Sequence, residues 1–550
     1  MKDFKKMVVY QIYPKSFYDS NNDGYGDLKG VTQKLDYLKW LGVDMLWLTP
    51  FYVSPQNDNG YDVEDYYNID PSFGSMEDFD ELILEAKNRG IKIMLDMVFN
   101  HTSTNHEWFK RAVNGESKYR DYYIMREGKE ENLPTNWQSK FGGSAWEYLK
   151  EQGVYYLHLF DKSQADLNWE NDEVRNEIYE IVNFWIKKGV EGFRLDVINL
   201  ISKPSKFEDD FEGDGRRYYT DGPKIHQYLK ELNQNTFGKK DACITVGEMS
   251  STSINHCIRY SNPEENELSM VFSFHHLKVD YKDGEKWSLM KFDFEKLREI
   301  LHTWQIEMSK GNGWNALFWC NHDQPRVLSR FGDEVNYRLE SAKMLATAMH
   351  MMRGTPYIYQ GEEIGMTNPH YKNLSQYKDV ETLNIFDILL ERGYTKEEAM
   401  KIISQKSRDN SRTPMQWTEE ENAGFSRVSP WISPAENYKD INLKTELEDK
   451  NSVVHHYKRL IELRKEHDVI SHGDYQPFME DEKEVFSYIR RHKDDKLVAI
   501  NNFSSDTKKL KLETWYRKDS LLISNYDGLE IEGENLILRP FESIVLKYKI

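Results

Sequence analysis

Eight short apolar, β-rich runs recur along the chain, and most of them are followed by a helical pattern. Alternation of strands and helices predicts βαβ units and therefore a parallel sheet. Eight such repeats favour a closed (β/α)8 barrel, and a doubly wound open sheet is the weaker alternative. The predicted strands occupy residues 7–14, 45–50, 91–98, 192–198, 243–249, 269–275, 315–321 and 355–360.

Two long segments interrupt the alternation. Residues 99–171, rich in Trp, Tyr, Asn and Gly, separate the third strand from its helix and predict a small irregular domain on the catalytic face. Residues 361–452 separate the eighth strand from its helix. After about residue 470 the helices cease, and runs such as VFSYIRR and SIVLKYK predict an all-β sandwich. The predicted domains are a catalytic barrel over 1–101 and 173–473, an inserted domain over 102–172 and a C-terminal β-sandwich domain over 474–550.

Three acids lie at the ends of three predicted strands: Asp196 in GFRLDVI, Glu248 in CITVGEM and Asp323 in NALFWCNHD. A single strand-end acid is more often a helix cap or an ion-pair partner. Three together favour an active site at the mouth of a barrel. Arg194 shares a strand face with Asp196 and is expected to hold that carboxylate ionised and oriented. Paired carboxylates are the groups that glycoside hydrolysis requires.

The bulk properties restrict the partners. A formal net charge of −19 makes nucleic acids and anionic membranes poor partners. Three cysteines imply no disulfide framework, which favours a reducing cytoplasm. The N-terminus lacks the pattern of a signal peptide, and no apolar run approaches the roughly 18 residues needed to span a membrane. We therefore expect a cytoplasmic monomer that acts on a small molecule.

Four ordered segments, DMVFNH, GFRLDVIN, GEMS and NHDQPR, resemble the signature regions of the α-amylase family of glycoside hydrolases. QADLNWE resembles a further region that distinguishes the oligo-1,6-glucosidase-like members. The resemblance extends from about residue 7 to the end of the chain. It implies that Asp196 is the nucleophile, Glu248 the general acid/base and Asp323 the transition-state stabiliser. It also implies a retaining mechanism through a covalent glucosyl-enzyme.

The same resemblance implies a pocket that closes around the terminal glucose. Asp58 and Tyr61 in NDNGYD and Arg412 in SRTPMQW resemble its end wall. An Asp–Arg pair in this position blocks the non-reducing side and makes such an enzyme exo-acting. The further sugar contacts that the resemblance implies are His101, His322, Phe160 and Phe141. For the two phenylalanines, a position in the core is left open as an alternative.

A loop rich in oxygen ligands lies near the N-terminus. Its side chains alternate along DSNNDGYGD with a turn glycine, which suits a hard cation such as Ca²⁺. It is not an EF-hand, because position twelve is Gly30 and not Glu. An Asx-rich turn without metal is the alternative, although similar loops bind structural calcium in the family. No organic cofactor is expected. The predicted ligands are Asp19, Asn21, Asp23, Asp27 and the carbonyl of Tyr25.

Residues around the reacting acids suggest the leaving group. Val197 follows the nucleophile as in α-1,6- and α,α-1,1-cleaving relatives, which argues against α-1,4 substrates. The segments EGDGRRYYTDGP (212–223) and FSFHHLKVDYKDGEKW (272–287) are expected over the barrel mouth. Their basic side chains suit a phosphate, and solvated surface charge is the alternative. The candidate phosphate ligands are Arg216, Arg217, His275, His276, Lys278 and Lys282.

These segments together are similar to those of trehalose-6-phosphate hydrolases, a phospho-α,α-glucosidase group within the α-amylase family. The resemblance implies hydrolysis of trehalose 6-phosphate to glucose and glucose 6-phosphate in trehalose catabolism. The unmodified glucose would enter the closed pocket, and the phosphorylated half would face the basic rim. The alternative is an oligo-1,6-glucosidase acting on isomaltose-type oligosaccharides.

Overall fold

The computed structural model describes residues 3–239, 243–511 and 520–549. Eight parallel strands, β1 to β8, form one sheet in the order β6-β5-β4-β3-β2-β1-β8-β7. A parallel bridge between Val271 and Asn315 joins β6 to the chain entering β7, so the sheet closes on itself. The predicted barrel is thereby confirmed against the open-sheet alternative. The strands are Val9–Ile12, Met45–Leu48, Lys92–Val98, Gly192–Asp196, Ile244–Met249, Met270–Ser273, Ala316–Leu317 and Thr355–Tyr359.

A helix follows each strand along the chain. The second helix begins at Met76, because Ser75 and Asp78 form a reciprocal capping box at its first turn. The third buries one apolar face that includes Ile178, Val182 and Trp185. Burying each such side chain contributes about 1.5–3 kcal/mol. The helices α1 to α8 are Leu35–Leu41, Met76–Asn88, Asp172–Lys187, Ile225–Asn235, Ile254–Ser261, Phe294–Lys310, Arg338–His350 and Val453–Glu466.

Strand β7 is shorter than the sequence predicts. It covers only Ala316–Leu317 of the predicted run 315–321. The side-chain oxygen of Asn321 accepts the backbone N–H of Asp323 at 2.8 Å, which forms a local Asx turn. This turn lies beyond the last strand residue, Leu317, and engages the backbone there in a local bond in place of a strand ladder. The turn brings Asp323 to the barrel mouth.

Both interruptions of the barrel pattern contain regular structure. The insertion after β3 holds a three-stranded antiparallel sheet of Met125–Glu127, Val154–Leu157 and Trp146–Leu149. A second, two-stranded ladder pairs His101–Ser103 with Gln164–Asp166. The segment after β8 contains the helices Val380–Glu391 and Lys396–Lys406, along with several shorter helices. Side chains from both interruptions reach the cavity described below.

The C-terminal part consists of two antiparallel sheets, in the orders β9-β10-β11-β16-β13 and β12-β15-β14. An apolar cluster that includes Ile489, Val498, Leu510 and Leu538 contains residues of both sheets, as expected of a sandwich. The domain boundaries given above stay predictions, and residues 512–519 and 550 lie outside the described part. The described helices include none with the length and apolarity to cross a membrane. The strands β9 to β16 are Asp474–Phe478, Val485–His492, Asp495–Asn502, Lys508–Lys511, Leu521–Ser524, Glu530–Glu532, Asn535–Leu538 and Ser543–Lys549.

Candidate active site

Arg194 ties three carboxylates together at the barrel mouth. Strand register places it beside Asp96 of β3, so the two side chains share one face of the sheet. Its Nη1 donates to Asp96 Oδ1 at 2.7 Å and to Asp196 Oδ1 at 2.6 Å. Its Nη2 donates to the carboxylate of Glu248. Because Arg194 is only 1% exposed, solvent screens these interactions little.

This cluster holds one guanidinium against three carboxyl groups. Burial raises the pKa of Asp196 well above its usual range; Arg194 opposes this, and the nearby Glu248 and Asp96 add to it. Burial likewise raises the pKa of Asp96 to about 6. Arg194 therefore limits the rise in the pKa of Asp196 without cancelling it, so this acid is held ionised less firmly than the sequence predicts. The cluster as a whole binds a proton more readily than separate carboxyl groups would.

The residue after Asp196 adopts an unusual backbone conformation. Val197 has φ of 34° and ψ of 40°, in the left-handed region that β-branched residues rarely occupy. Its backbone N–H lies 3.5 Å from Glu248 Oε2, and its side chain belongs to the same apolar cluster as Trp137. Surrounding packing must maintain such strain. The sharp turn ends β4 directly after the Asp196 carboxylate.

Asp323 lies against two arginines and one imidazole. Arg412 Nη2 lies 2.7 Å and Arg408 Nη1 3.5 Å from its Oδ1, and His322 Nε2 lies 3.3 Å from its Oδ2. Burial alone would raise the pKa of Asp323, but His322 and the two arginines hold that pKa well below its usual range. Asp323 is therefore an anion at any physiological pH.

The partner of Asp58 corrects one expectation. The sequence motif pointed to Arg412 as the arginine of an end-wall pair, but Arg408 Nη2 donates to Asp58 Oδ1 at 3.0 Å. Arg412 instead contacts Asp323 and donates from Nε to the carbonyl of His322 at 2.9 Å. Burial raises the pKa of Asp58 to about 7, against the opposing charge of Arg408. Arg408 therefore takes the place predicted for Arg412 in the end wall, and Arg412 contacts Asp323 instead.

Aromatic and imidazole rings surround the acids. Tyr61 stacks on His322 with ring centroids 5.2 Å apart and donates its hydroxyl to Asp96 at 2.9 Å. His101 lies 5.2 Å from the ring of Phe160 and hydrogen-bonds the carbonyl of Tyr61 at 3.1 Å. Burial lowers the pKa of His101 to about 4 and that of His322 to about 3. Both imidazoles are therefore neutral near pH 7.

One cavity of about 290 Å³ brings these groups together. Nine of the residues predicted around the reacting bond and the glucose line it, whereas Arg194, His322 and Arg412 lie buried directly behind its surface. Such a concave site with convergent polar groups suits a small polar ligand. The nine lining residues are Asp58, Tyr61, His101, Phe141, Phe160, Asp196, Val197, Glu248 and Asp323.

Three basic side chains in the cavity wall form a cationic cluster of Lys140, Arg216 and Lys278. Lys140 comes from the inserted domain and donates to Ser250 Oγ at 3.1 Å, two residues after Glu248. Burial, and then Arg216, lowers the pKa of Lys140 to about 7; burial and Arg216 also lower the pKa of Lys278. Neither lysine forms an ion pair within the described part of the chain. Arg216, in contrast, pairs with Asp214 at 2.6 Å. In the described part of the chain, the positive charge of the cluster that has no ion-pair partner is therefore that of the two lysines beside Glu248.

The other four predicted phosphate ligands lie elsewhere. Arg217 pairs with Asp210 at 2.9 Å and Glu212 at 2.5 Å in a separate surface depression. His276 is buried and hydrogen-bonds the carbonyl of Phe318 at 2.8 Å. None of these four lines the cavity, because each side chain is directed to another neighbour or to solvent. The remaining two are His275, which packs on the ring of Trp304, and the exposed Lys282.

The loop predicted to bind calcium is held by its own backbone. Asp19 accepts the N–H groups of Asn22 at 2.6 Å and Gly24 at 2.9 Å, and Asp27 accepts that of Gly30 at 2.7 Å. Burial raises the pKa of Asp27, and the Asp19 carboxylate adds to this. The donor set suits a hard cation chemically. Over the described residues, no three acidic, His or Cys side chains converge as a metal centre, and calcium stays a prediction.

Sequence reasoning missed several residues of the site. Asp96 could have been predicted, because it lies in the DMVFNH motif and pairs with Arg194 in the register of neighbouring strands. Gln164 bonds Asp58 and His101 from within the quoted segment QADLNWE. The position of Lys140 could not be predicted, since the irregular insertion has no regular period from which to infer where a side chain points.

Comparison with known proteins assigns both parts of the chain. Residues 11–473 match the family model described as alpha amylase, catalytic domain. Residues 485–545 match the model of an alpha-amylase SusG C-terminal domain.

Full-length relatives include proteins with two different functional names. A trehalose-6-phosphate hydrolase of Bacillus subtilis is 55% identical over 99% of this chain and 98% of its own length. An oligo-1,6-glucosidase of Parageobacillus thermoglucosidasius is 50% identical over 100% of this chain and 99% of its own length. The crystal structure of the Bacillus licheniformis trehalose-6-phosphate hydrolase superposes with a TM-score of 0.94 at 56% identity, covering 100% of both chains. With the three carboxylates at the mouth of a closed barrel, these matches show that the chain belongs to the α-amylase family.

Proposed function

We propose that the protein hydrolyses trehalose 6-phosphate to glucose and glucose 6-phosphate. One observation carries the proposal: the cationic cluster of Lys140, Arg216 and Lys278 lies in the same cavity as the acids and beside Glu248. The acid that protonates a leaving oxygen must stand next to the leaving group. Cations there match a leaving group that bears a phosphate. The names of the relatives from Bacillus subtilis and Bacillus licheniformis support the same substrate.

In the first step, Asp196 attacks the anomeric carbon while Glu248 gives its proton to the glycosidic oxygen. Arg194 supports both roles, because it holds the two carboxyl groups at one guanidinium. That bridge favours the short carboxyl spacing of retaining enzymes, about 5–5.5 Å, over the wider spacing that inverting enzymes need to admit a water. Glucose 6-phosphate is the leaving product of this step.

In the second step, water hydrolyses the glucosyl ester. Glu248 now acts as a base, removes a proton from the water and returns to its protonated form. Asp323 remains ionised beside Arg412 and can accept hydrogen bonds from sugar hydroxyls that strengthen in the transition state. The imidazole of His101 lies in the cavity wall and is neutral, so it adds no charge beside the sugar.

The proposed enzyme removes single glucose units from the non-reducing end. The ion pair of Asp58 and Arg408 occupies the cavity wall on the side of Asp323. Both side chains are buried, so this wall leaves no passage for a longer chain. Tyr61 stacked on His322 offers an apolar ring face to the glucose.

The direct test compares initial rates of glucose release from trehalose 6-phosphate, trehalose and isomaltose. We expect kcat/KM to be highest for trehalose 6-phosphate. A higher value for isomaltose would identify an oligo-1,6-glucosidase, the name carried by the 50% identical relative. A higher value for unphosphorylated trehalose would reject the phosphate assignment while leaving the glucosidase chemistry standing.

We also propose that the loop of Asp19, Asn21, Asp23, Tyr25 and Asp27 holds a structural Ca²⁺. The facing carboxylates of Asp19 and Asp27 support this, since no ion pair neutralises them in the described part of the chain. Elemental analysis of the purified protein should find about one Ca²⁺ per chain. Chelation should lower the melting temperature, and added Ca²⁺ should restore it. An unchanged melting temperature with no bound metal would reject the site.

The proposed place of action is the cytoplasm, and the proposed form is a monomer. Sparse cysteine usage fits a reducing compartment. Cell fractionation with a compartment marker tests the first statement. Light scattering on the eluting protein tests the second, with an expected mass of 65.4 kDa. Twice that mass would indicate a dimer.

A further inference from the structure

A buried ion-pair centre lies behind the wall that carries the cationic cluster. Asp280, only 6% exposed, accepts from Arg330 at both oxygens, with Nε–Oδ2 at 2.9 Å and Nη2–Oδ1 at 2.6 Å. Lys406 Nζ lies 2.7 Å from Asp280 Oδ2. None of these three residues lines the active-site cavity. The centre contacts no reacting group, so any role in the reaction must act through other residues.

The same two cations hold the backbone on either side of Lys278. Arg330 Nη2 donates to the carbonyl of Leu277, and Lys406 Nζ donates to the carbonyl of Asp280 at 3.0 Å. Arg330 Nη1 also donates to Gln324 Oε1 at 2.9 Å. Lys278 and Gln324 both line the cavity, as does Tyr281. Two buried cations therefore fix a short stretch of chain, residues 277–281, against the loop that follows β7.

We infer that Arg330, Asp280 and Lys406 are positioning residues that set the preference for a phosphorylated leaving group. They hold the backbone of Lys278 in place, so its ammonium group can contact the phosphate without a further loss of backbone conformational entropy. The inference rests on the proposed function. It is specific to the leaving group because Asp58 and Tyr61, which surround the glucose, come from another segment of the chain.

The variant Arg330→Lys tests the inference. It keeps the positive charge but loses the bidentate bond to Asp280 and cannot hold Leu277 and Gln324 at once. We expect kcat/KM for trehalose 6-phosphate to fall on the order of tenfold, mainly through KM, and that for an aryl α-glucoside to change less than about twofold. The inhibition constant of inorganic phosphate should rise in parallel. Lys401→Met, an exposed change on the helix of Lys406, is the control and should alter nothing.

Two outcomes overturn the inference. The first is an equal loss on both substrates at an unchanged melting temperature, which would indicate a general structural role. The second is no loss on either substrate. If Arg330→Lys does not fold, Lys406→Met gives the same comparison, because it removes both bonds from Lys406 to Asp280 and keeps those of Arg330.

The unmodified protein separates this inference from the proposed function. If it shows no preference for trehalose 6-phosphate over trehalose, the proposed function fails before any variant is compared. If it shows that preference and Arg330→Lys retains it in full, only the positioning role fails.

Discussion

Removal of the Lys278 ammonium is the sharpest test of the phosphate side of the cavity. Lys278→Met keeps the length of the side chain and removes one cation from the cationic cluster. A hydrogen bond to a charged group contributes about 1.5–3 kcal/mol. Since about 1.36 kcal/mol corresponds to a factor of ten, kcat/KM for trehalose 6-phosphate should fall about 10- to 150-fold.

The structure places the expected loss toward the lower end of that range. Lys278 lowers the pKa of Lys140, so its removal lets Lys140 keep its proton more readily and compensates part of the lost charge. Lys282→Met is the matched control. It removes the same charge from the same segment, but Lys282 is exposed and does not line the cavity. Its kcat/KM should change less than about twofold.

Coupled detection of released glucose at constant ionic strength gives both values, with an aryl α-glucoside as the substrate that lacks a phosphate. Constant ionic strength matters because salt screens exposed charges more than buried ones. Equal effects of Lys278→Met and Lys282→Met would refute the reasoning, since they would show that only overall charge matters. A loss on the aryl glucoside as large as that on trehalose 6-phosphate would refute it as well.

Three further outcomes are expected. Asp196→Asn should lower kcat by more than about 10⁴-fold with the melting temperature retained, and substantial residual turnover would reject its role as nucleophile. Glu248→Gln should lose trehalose 6-phosphate hydrolysis, and azide should restore turnover of an activated aryl glucoside; failure of that rescue would count against the acid/base role. The ratio of kcat/KM for trehalose 6-phosphate to that for the aryl glucoside should decline as pH rises through about 7, because Lys140 loses its proton there in the free enzyme. Lys140→Arg should flatten that decline, and an equal decline in this variant would exclude Lys140 as its source.

The barrel was predictable because its signals are local. Each of the eight predicted strands contains the observed one, and helices such as Phe294–Lys310 follow the predicted pattern. The main difference is β7, which ends at Leu317, before the local turn in which the Asn321 side chain accepts the backbone N–H of Asp323. A strand-forming composition gives no sign of such a bond, since it depends on one rotamer.

The positions of the acids were predictable for the same reason, but their partners were not. Arg194 and Asp196 are two residues apart on one strand, so their side chains lie on the same face and their proximity follows from strand geometry. Arg408 directly precedes a four-residue helix, and Arg412 ends it. Which of the two contacts Asp58 depends on where this helix lies in the fold, and the sequence does not give that position.

The basic rim shows the limit of reasoning from composition. Arg216 and Arg217 are neighbours in the chain and each pairs with a nearby acid, yet only Arg216 also lines the active-site cavity. Consecutive helical residues are directed about 100° apart, so charge counting along a segment cannot distinguish them. Lys140 joins the cationic cluster only because the inserted domain folds over the barrel mouth.

The wall of Asp58 and Arg408 has a consequence for the kinetic order of product release. Glucose bound against a closed wall can leave only through the side that glucose 6-phosphate occupies. Glucose 6-phosphate must therefore depart first, before water reaches the glucosyl ester, and glucose is the last product on the enzyme. Glucose should then compete directly with trehalose 6-phosphate for the free enzyme, so accumulated glucose slows the enzyme by raising KM and leaves kcat unchanged.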